Sequence, residues 1–271
     1  MVEYSAIDVS VEDDVGTLTF DRPEKKNAMN PRLLEEMGDA LGDLRDEVHV
    51  LVVTGAGDAF NAGMDFDEYF EAARAAGPLA VREANRLHKR ALVRLYEFPA
   101  PTVAKVNGWA LGGGYMAMSL CDLAIGSEDA KLGLSEINFG IAAGGGTMWS
   151  VAHTMNRRDA LYYTMTGEPF TCAEAVEMGV INEAVPASEL DGRVDGLVDR
   201  LRQKDRFALE YTRHYYDKVV EMDFPEAHDY ELAKGEEMKY LQGYEFLDRG
   251  VSGFTQDRYR PGAGEDYPDD E

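Results

Sequence analysis

The sequence predicts a mixed α/β fold in which pairs of short strands alternate with helices. From residue 49 the sequence predicts an apolar strand, then a glycine-rich loop, then a helix, and the same succession begins again at residue 101. The hydrophobic period also changes, from two in residues 5–20 to the helical spacing of three and four that begins at Pro31. Repeated strand, strand, helix units with crossovers indicate an α/β spiral.

The elements follow from the same patterns in chain order. Strands are predicted over residues 5–12, 15–20, 49–54, 101–106, 123–127, 131–134 and 180–185. Helices are predicted to begin at Pro31 and Pro78 and to cover residues 115–120, 157–166 and 171–178. From Pro186 onward the pattern is almost entirely helical. We therefore expect an α/β core over residues 1–190 and a helical region with an acidic tail over residues 191–271.

The charge balance excludes two classes of partner. The 271 residues include 51 acidic and 27 basic side chains, a formal net charge of −24, and only nine of the basic residues are lysine. Such a surface repels nucleic acid and anionic membranes, so neither is an expected partner. An acidic, lysine-poor composition is typical of proteins from a high-salt cytoplasm, where salt screens the self-repulsion.

Other common sites are excluded by spacing. Cys121 and Cys172 show no CxxC spacing and are predicted to be buried thiols of a reducing, cytoplasmic compartment. The five histidines lack metal-ligand spacing, so no metal is expected. GAGDAF, residues 55–60, has Phe60 where a dinucleotide site needs glycine. A signal peptide is not expected, because the start MVEYSAIDVSVEDD has no basic segment followed by an apolar one. A membrane-spanning helix is not expected, because no apolar run approaches eighteen residues.

Two glycine loops are candidate anion or oxyanion sites. Gly112–Gly114 lies where a strand gives way to a helix, and a second loop places Gly63 before the amide of Met64. Without side chains, backbone N–H groups can approach a ligand closely. If both loops line one cleft, the amides of Met64 and Gly113 can bind a carbonyl oxygen as it gains negative charge. The alternative is that the glycines only permit tight turns.

Glu136 is the candidate proton carrier next to that carbonyl. The alternative is a solvated turn residue, since glutamate is mostly exposed in proteins. The adjacent Lys25 and Lys26 stand out in a lysine-poor chain as candidate phosphate contacts, and the alternative is an ordinary solvated loop.

The two glycine loops, Glu136 and the segments around them resemble the crotonase, or enoyl-CoA hydratase/isomerase, superfamily. The matching segments are RPEKKNAMN (22–30), VVTGAGDAFNAGMD (52–65), VNGWALGGG (106–114), CDLAIGS (121–127), LSEINFGI (134–141) and MTGEPFTCAEAVEMGVINEAVP (165–186). They occur in family order, and the likeness spans about residues 5–261. The motifs AGMDFDEYF, GLSEINFGI and ALYYTMTG resemble in particular the hydroxycinnamoyl-CoA hydratase-lyases of that superfamily.

The resemblance implies a crotonase-type ββα spiral core with a C-terminal helical region, assembled as a homotrimer or homohexamer. It also implies a coenzyme A thioester as substrate and no separate cofactor. The thioester oxygen would lie between the amides of Met64 and Gly113, with Glu136 as acid and base. The residues implied to contact the substrate are Lys25, Lys26, Ala62, Asp65, Tyr69, Gly112, Met116, Tyr230, and Arg258 or Arg260 of a neighbouring subunit.

Two positions depart from the family pattern. Met116 stands where the hydratases place an upstream glutamate and where the hydratase-lyases place a serine. Of the two tyrosines that hold the substrate phenol in the hydratase-lyases, Tyr69 matches one. The other falls on Leu232, with Tyr230 two positions earlier. These departures indicate a more apolar acyl pocket served by one glutamate.

The sequence therefore predicts an acyl-CoA lyase that adds water across the α,β double bond of an enoyl-CoA or aryl-enoyl-CoA. Carbon–carbon cleavage to an aldehyde and acetyl-CoA is a further step of the same prediction. Two alternatives stay open: a Δ3,Δ2-enoyl-CoA isomerase that uses Glu136 alone, and a non-catalytic acyl-CoA-binding module.

Overall fold

The computed structural model describes residues 4–247 and 250 of the chain. It divides into two compact units, one ending at Lys204 and one beginning at Asp205. Tyr230 belongs to the second unit, and Arg258 and Arg260 lie outside the described residues. All other candidate site residues belong to the first unit.

Ten strands in the described residues form two sheets. The large sheet has the order β1 (Ile7–Glu12), β2 (Val15–Phe20), β3 (Val50–Gly55), β5 (Thr102–Val106), β7 (Leu123–Ser127) and β10 (Glu183–Val185). The small sheet has the order β4 (Ala59–Asn61), β6 (Trp109–Leu111), β8 (Lys131–Gly133) and β9 (Phe170–Thr171). Among the described strands, β1–β2 and β8–β9 pair antiparallel and the other pairs are parallel.

The chain passes repeatedly from the large sheet to the small sheet and then into a helix. β3 is followed by β4, β5 by β6 and β7 by β8, and helical residues follow each pair. This is the predicted strand, strand, helix spiral, so the fold class is confirmed. The crossovers place the ends of β4, β6 and β8 side by side, because these three strands run parallel.

The described residues contain ten α-helices. They are α1 (Pro31–Leu44), α2 (Ala72–Ala76), α3 (Pro78–Tyr96), α4 (Gly113–Ser119), α5 (Thr147–Thr154), α6 (Arg157–Thr166), α7 (Cys172–Glu177), α8 (Leu190–Arg202), α9 (Arg206–Val219) and α10 (Phe224–Leu241). The Asn30-Pro31 start is confirmed, because the Asn30 side chain accepts a hydrogen bond from the Leu33 N–H.

The continuous apolar run of β3 is explained by burial on both faces. Leu51 and Val53 belong to the main core, whereas Val50 and Val52 face a second cluster. In that second cluster α8 contributes Leu190, Val194 and Val198, which are spaced four residues apart. The sequence places the division near residue 190, but this packing joins α8 to the sheet, and the compact unit ends at Lys204.

Other differences from the sequence prediction concern short elements. The strands β4, β6 and β9 have three residues or fewer, too short for a visible period of two. The 115–120 helix begins two residues earlier, at Gly113. The expected turn after residue 134 is a 3-10 helix, Ser135–Phe139, and the 180–185 strand covers Glu183–Val185 alone.

In the described part of the second unit, α9 packs on α10, and Tyr211 Oη donates to Glu237 Oε1 at 2.8 Å. No described helix has both the length and the apolar character that crossing a membrane requires. Within residues 4–247 and 250, no cluster of three or more histidine, cysteine or acidic side chains is arranged to hold a metal ion.

Glu36 is a buried carboxylate of α1 that holds the chain preceding β1. It accepts hydrogen bonds from the N–H of Ser5 at 3.0 Å, from the N–H of Ala6 at 2.8 Å and from Arg32 Nε at 2.6 Å. Burial raises the pKa of Glu36, but the donated hydrogen bonds outweigh burial and hold the pKa below 4.5. The stability that ionised Glu36 contributes is therefore present above its unfolded pKa and lost as pH falls through the folded value.

We expect Glu36→Gln to lower the free energy of unfolding at pH 7 by about 2 kcal/mol, because charged acceptors form the stronger hydrogen bonds. Urea unfolding at pH 7 and in the acid range measures the loss, which should shrink as the parent protein is acidified. Glu35→Gln, on the exposed face of the same helix, is the control and should change little. An equal loss at both pH values would contradict the assigned role.

Candidate active site

The first glycine loop follows β4 and presents the Met64 amide. Gly63 has φ +93°, a conformation that favours glycine, and its N–H donates to Asn61 Oδ1 at 2.8 Å. Met29 forms hydrogen bonds to the residues on both sides of Met64. Its N–H donates to Gly63 O at 2.7 Å, and its carbonyl oxygen accepts from the Asp65 N–H at 2.9 Å. Within the described residues the intervening Met64 N–H has no acceptor.

The second glycine loop follows β6 and opens α4. Gly112 has φ +50°, and its N–H donates to Gly133 O at 2.9 Å. The N–H of the next residue, Gly113, has no acceptor in the described part of the chain. A Cβ at Gly114 would lie 1.9 Å from Asn61 O, so only glycine allows α4 to begin against β4.

The two loops meet. A Cβ at Gly63 would lie 3.4 Å from Gly113 N, and a Cβ at Gly113 would lie 3.7 Å from Gly63 Cα and 3.3 Å from Met64 Sδ. The structure therefore brings both candidate donors to one place. Two N–H groups without protein acceptors, in adjacent loops, suit an oxygen that gains negative charge.

Glu136 lies beside the second loop. It belongs to the 3-10 helix after β8, and its Oε1 would lie 3.2 Å from a Cβ at Gly112. Its Oε2 is buried and has no hydrogen-bond partner in the described residues. Burial raises the pKa of Glu136, and a hydrogen bond from its own backbone offsets only part of that rise. The carboxyl group is therefore not a solvated turn residue and suits proton transfer.

Asp65 has the opposite environment. Its carboxylate accepts from Arg22 Nη1 at 3.1 Å and from the N–H groups of Asp67 and Glu68, at 3.1 and 3.0 Å. Burial raises its pKa, but these bonds and the Arg22 charge outweigh it and lower the pKa below 3.8. The resemblance implies that Asp65 contacts the substrate, and this stays a prediction. In the structure the Asp65 carboxylate holds the loop that carries Met64.

Arg22 completes this support and was not identified from the sequence. It lies 8% exposed, donates to Ala28 O, and pairs with Glu68 Oε1 at 2.7 Å as well as with Asp65. Asn30 Nδ2 donates to the other oxygen of Glu68 at 2.6 Å. An arginine just after an apolar strand is no signal by itself, because only the fold brings residue 22 to residue 65.

Met116 lies in the first turn of α4, at the position where the resemblance predicts a carboxylate in the hydratases. It is 3% exposed, and a Cβ at Gly146 would lie 2.8 Å from its Sδ. The glycine loop 140–146 therefore packs on Met116. A thioether carries no proton at neutral pH, so Glu136 remains the candidate proton carrier beside the two loops.

The remaining predicted contacts are spread over three places. Lys25 and Lys26 are both exposed. Lys25 Nζ lies 3.6 Å from Asp67 Oδ2, and Lys26 Nζ lies 3.1 Å from Asp58 Oδ2. The carbonyl oxygen of Lys26 accepts a hydrogen bond from the Ala62 N–H at 3.0 Å. These lysines therefore lie next to the Met64 loop.

Tyr69 is 6% exposed in the π-helix Phe66–Glu71, and its Oη donates to Asn85 Oδ1 at 2.9 Å. In the second unit, Tyr230 Oη is 2.6 Å from His214 Nε2.

Known proteins resemble this chain along most of its length. The enoyl-CoA hydratase/isomerase family model matches residues 10–257. A hydroxycinnamoyl-CoA hydratase-lyase from Pseudomonas fluorescens is 38% identical, covering 96% of this chain and 95% of that protein. A 2,3-dehydroadipyl-CoA hydratase from Escherichia coli strain K12 is 28% identical, covering 94% and 97%.

Solved structures of enoyl-CoA hydratases have the same fold as this chain. An enoyl-CoA hydratase subunit I from Geobacillus kaustophilus HTA426 superposes with a TM-score of 0.84 at 28% identity, covering 95% of this chain and 98% of that one. A Streptomyces coelicolor A3(2) structure, at 22% identity and a TM-score of 0.87, shows the fold alone, with 96% and 94% covered. The resemblance that the motifs indicated is confirmed, and this chain belongs to the enoyl-CoA hydratase/isomerase family.

Proposed function

We propose that this protein is a hydratase/lyase acting on coenzyme A thioesters of α,β-unsaturated acids. The observation that carries the proposal is that the N–H groups of Met64 and Gly113, which have no acceptor in the described residues, lie beside the Glu136 carboxyl group, whose Oε2 is buried without a hydrogen-bond partner among those residues. The names of the relatives support the same reaction class. An oxyanion site and one adjacent acid are what addition of water to an enoyl thioester requires.

In the proposed hydration, the thioester oxygen accepts hydrogen bonds from the Met64 and Gly113 amides. Glu136 takes a proton from water as the water oxygen bonds to the β-carbon. The electron pair of the double bond moves to the α-carbon and the thioester oxygen, where the two amides stabilise it. Glu136 then returns the proton to the α-carbon, and the product is a β-hydroxyacyl-CoA.

The same groups support cleavage of that product. Glu136 removes the proton of the β-hydroxyl, the bond between the α- and β-carbons breaks, and an aldehyde leaves. The resulting acetyl-CoA enolate is held by the Met64 and Gly113 amides and takes the proton at carbon. No oxidant or cofactor is needed, which accords with the expectation that coenzyme A enters as part of the substrate.

One observation favours a second candidate, the Δ3,Δ2-enoyl-CoA isomerase. Met116 stands in the position of the second carboxylate, and Asp65 is engaged by Arg22 and two backbone N–H groups, which leaves Glu136 as the acid with a buried oxygen that has no partner in the described residues. A single base suffices to move a proton from the α-carbon to the γ-carbon. Isomerisation therefore needs no group that this site lacks.

The proposal also assigns residues to the parts of the substrate that do not react, the coenzyme A phosphates and the acyl group. Lys25 and Lys26, exposed beside the Met64 loop, would contact the coenzyme A phosphates, together with Arg258 or Arg260 of a neighbouring subunit. Tyr230 would contact the acyl group, and Ala62 and Gly112 would line the thioester.

We further propose a homotrimer or homohexamer in the cytoplasm. The two cysteines, which form no disulfide, accord with a reducing compartment.

The reaction is identified by offering crotonyl-CoA, a 3-enoyl-CoA, cinnamoyl-CoA and feruloyl-CoA in concentrated salt, which screens the acidic surface. A hydroxyacyl-CoA indicates hydration, an aldehyde indicates cleavage, and a conjugated enoyl-CoA from the 3-enoyl ester indicates isomerisation. Binding of the esters without turnover of any of them would contradict catalysis and favour the binding module.

We expect Glu136→Gln to reduce kcat by roughly 10²–10⁴-fold, the usual contribution of a positioned acid or base. Affinity for the thioester, measured by titration calorimetry, should stay near that of the parent because both oxyanion amides remain. Glu128→Gln, an exposed acid preceding β8, is the control. A Glu136→Gln variant with parental kcat would remove this residue from the mechanism.

The pH dependence follows from the burial of Glu136. As a base it must be ionised, and burial raises its pKa above 4.5. We expect kcat/KM for hydration to fall as pH decreases through that raised value, so the acid limb should lie above pH 4.5. A pH–rate profile that stays flat down to the ordinary glutamate value would contradict the assignment.

We expect Asp65→Asn to lower stability by about 3 kcal/mol, because it removes the more deeply buried of the two carboxylates that pair with the buried Arg22. The Met64 amide would also lose its fixed position, so kcat should fall by roughly 10²-fold. Thermal unfolding and steady-state kinetics measure the two effects. Asp67→Asn, an exposed neighbour, should alter neither by a comparable amount.

A further inference from the structure

Asn61 is a buried polar residue between the two oxyanion loops, and the proposed chemistry gives it no role. It is the last residue of β4 and is 0% exposed. Its side-chain amide has a partner at each end. Asn61 Oδ1 accepts from the Gly63 N–H at 2.8 Å, and Asn61 Nδ2 donates to Asn27 O at 2.6 Å. A buried amide that is bonded at both ends is held in one orientation.

The same residue forms the surface on which the second loop packs. A Cβ at Gly114 would lie 1.9 Å from Asn61 O and 3.0 Å from Asn61 Cβ. Gly114 directly follows Gly113, which carries the second oxyanion donor. Asn61 therefore holds the first loop through its side-chain amide and meets the second loop through its backbone and Cβ.

Asn27 fixes the other end of the Asn61 amide. It is fully buried and has φ +60°, a left-handed conformation that asparagine adopts more readily than most residues. Asn27 Oδ1 accepts from the Arg22 N–H at 2.9 Å, and Asn27 Nδ2 donates to the carbonyls of Ala56 and Ala59, at 2.9 and 2.7 Å. The carbonyl that accepts from Asn61 thus belongs to a residue tied to three neighbouring positions.

Two hydrogen bonds at Gly63 determine where the Met64 N–H points. Glycine is conformationally permissive, so sterics alone do not fix the peptides on either side of Gly63. Met29 N–H fixes the following peptide by donating to Gly63 O at 2.7 Å. Since the N–H and C=O of a trans peptide point in opposite directions, the Met64 N–H points away from Met29. Asn61 fixes the preceding peptide, and together the two bonds hold Gly63 at φ +93°.

We propose that Asn61 is a positioning residue for the oxyanion site: its side-chain amide holds the Met64 N–H in the direction that stabilises the thioester oxygen as it gains charge. Asn61 acts through Gly63 and not by contact with the reacting atoms. Without the Asn61 amide, the Gly63 N–H would be buried without an acceptor, and Gly63 would be free to change φ. The inference rests on the proposed function, because it concerns the oxyanion site of the same reaction.

The test measures how strongly the protein polarises a bound thioester. The probe is 4-(dimethylamino)cinnamoyl-CoA, whose absorption moves to longer wavelength when hydrogen bonds draw electron density to its carbonyl oxygen. It is bound to proteins that carry Glu136→Gln, in which turnover is suppressed. We expect a red shift in Glu136→Gln itself, a smaller one after adding Asn61→Ser and the smallest after adding Asn61→Ala. Serine can still accept from the N–H two residues later, but it loses the bond to Asn27.

Steady-state kinetics of variants that retain Glu136 give a second readout. We expect Asn61→Ala to lower kcat by roughly 10²-fold, the usual cost of a misplaced catalytic group. KM should stay close to the parental value, because oxyanion contacts strengthen in the transition state and their loss appears in kcat. An unchanged kcat would overturn the proposal.

Asn107→Ala is the matched control. Asn107 Nδ2 donates to the carbonyls of Gly55 and Gly57, at 2.8 and 3.0 Å, so this variant also removes hydrogen bonds to loop backbone. In the described part of the chain, however, Asn107 forms no hydrogen bond with residues 61–65. Its red shift and kcat should stay near those of the parent.

Thermal unfolding shows whether each variant is folded and how much stability it loses. A merely structural role for Asn61 would lower Tm in the Asn61 and Asn107 variants alike and leave the red shift unchanged, which would overturn the proposal. If Asn61→Ala does not fold, Asn61→Ser decides: a reduced red shift supports the proposal, and a parental red shift overturns it.

Failure of this inference and failure of the proposed function give different results. If the parent converts none of the offered thioesters, the proposed function fails, and the order of the red shifts still decides the role of Asn61. If the parent is active and Asn61→Ala keeps both kcat and the red shift, the inference fails and the proposed function stands. A probe that binds the Glu136→Gln protein without any red shift would overturn the inference together with the oxyanion site.

Discussion

The close approach of two backbone loops is the constraint on which the site depends. Gly114 lies so near Asn61 that a Cβ would come within 1.9 Å of its carbonyl oxygen, and Gly63 and Gly113 are in contact just beside it. Side chains at these positions would push β4 and α4 apart and separate the two N–H donors. The parallel pairing of the short strands β4, β6 and β8 brings these loops and Glu136 to one edge of the small sheet.

Two acids near this edge have opposite environments, which separates their roles. Asp65 is surrounded by Arg22 and backbone N–H groups, so it stays ionised and holds the first loop. Glu136 has a buried oxygen with no partner in the described residues, so its charged form is disfavoured and proton exchange becomes accessible. The fold therefore holds the Asp65 carboxylate in a supporting network, and the proposed mechanism assigns proton transfer to Glu136.

Met116 and the glycine loop 140–146 form one wall beside the two loops. A Cβ at Gly146 would lie 2.8 Å from Met116 Sδ, and a Cβ at Gly145 would lie 3.3 Å from His88 Cε1. This loop therefore packs against both α4 and α3, and the thioether of Met116 makes the side that faces α4 apolar.

Local patterns in the sequence were sufficient for most of the fold. Period, caps and glycine positions identified β2, β7, α1, α3 and α6 within a residue or two, and the motifs identified the family and Glu136 as a candidate. Local patterns could not reveal β4, β6 and β9, whose three or fewer residues have no measurable period. Nor could they assign Arg22 to Asp65 or place His88 beside Gly145. Those contacts join residues more than forty positions apart, so tertiary structure alone decided them, as it decided that α8 completes the large sheet's second core.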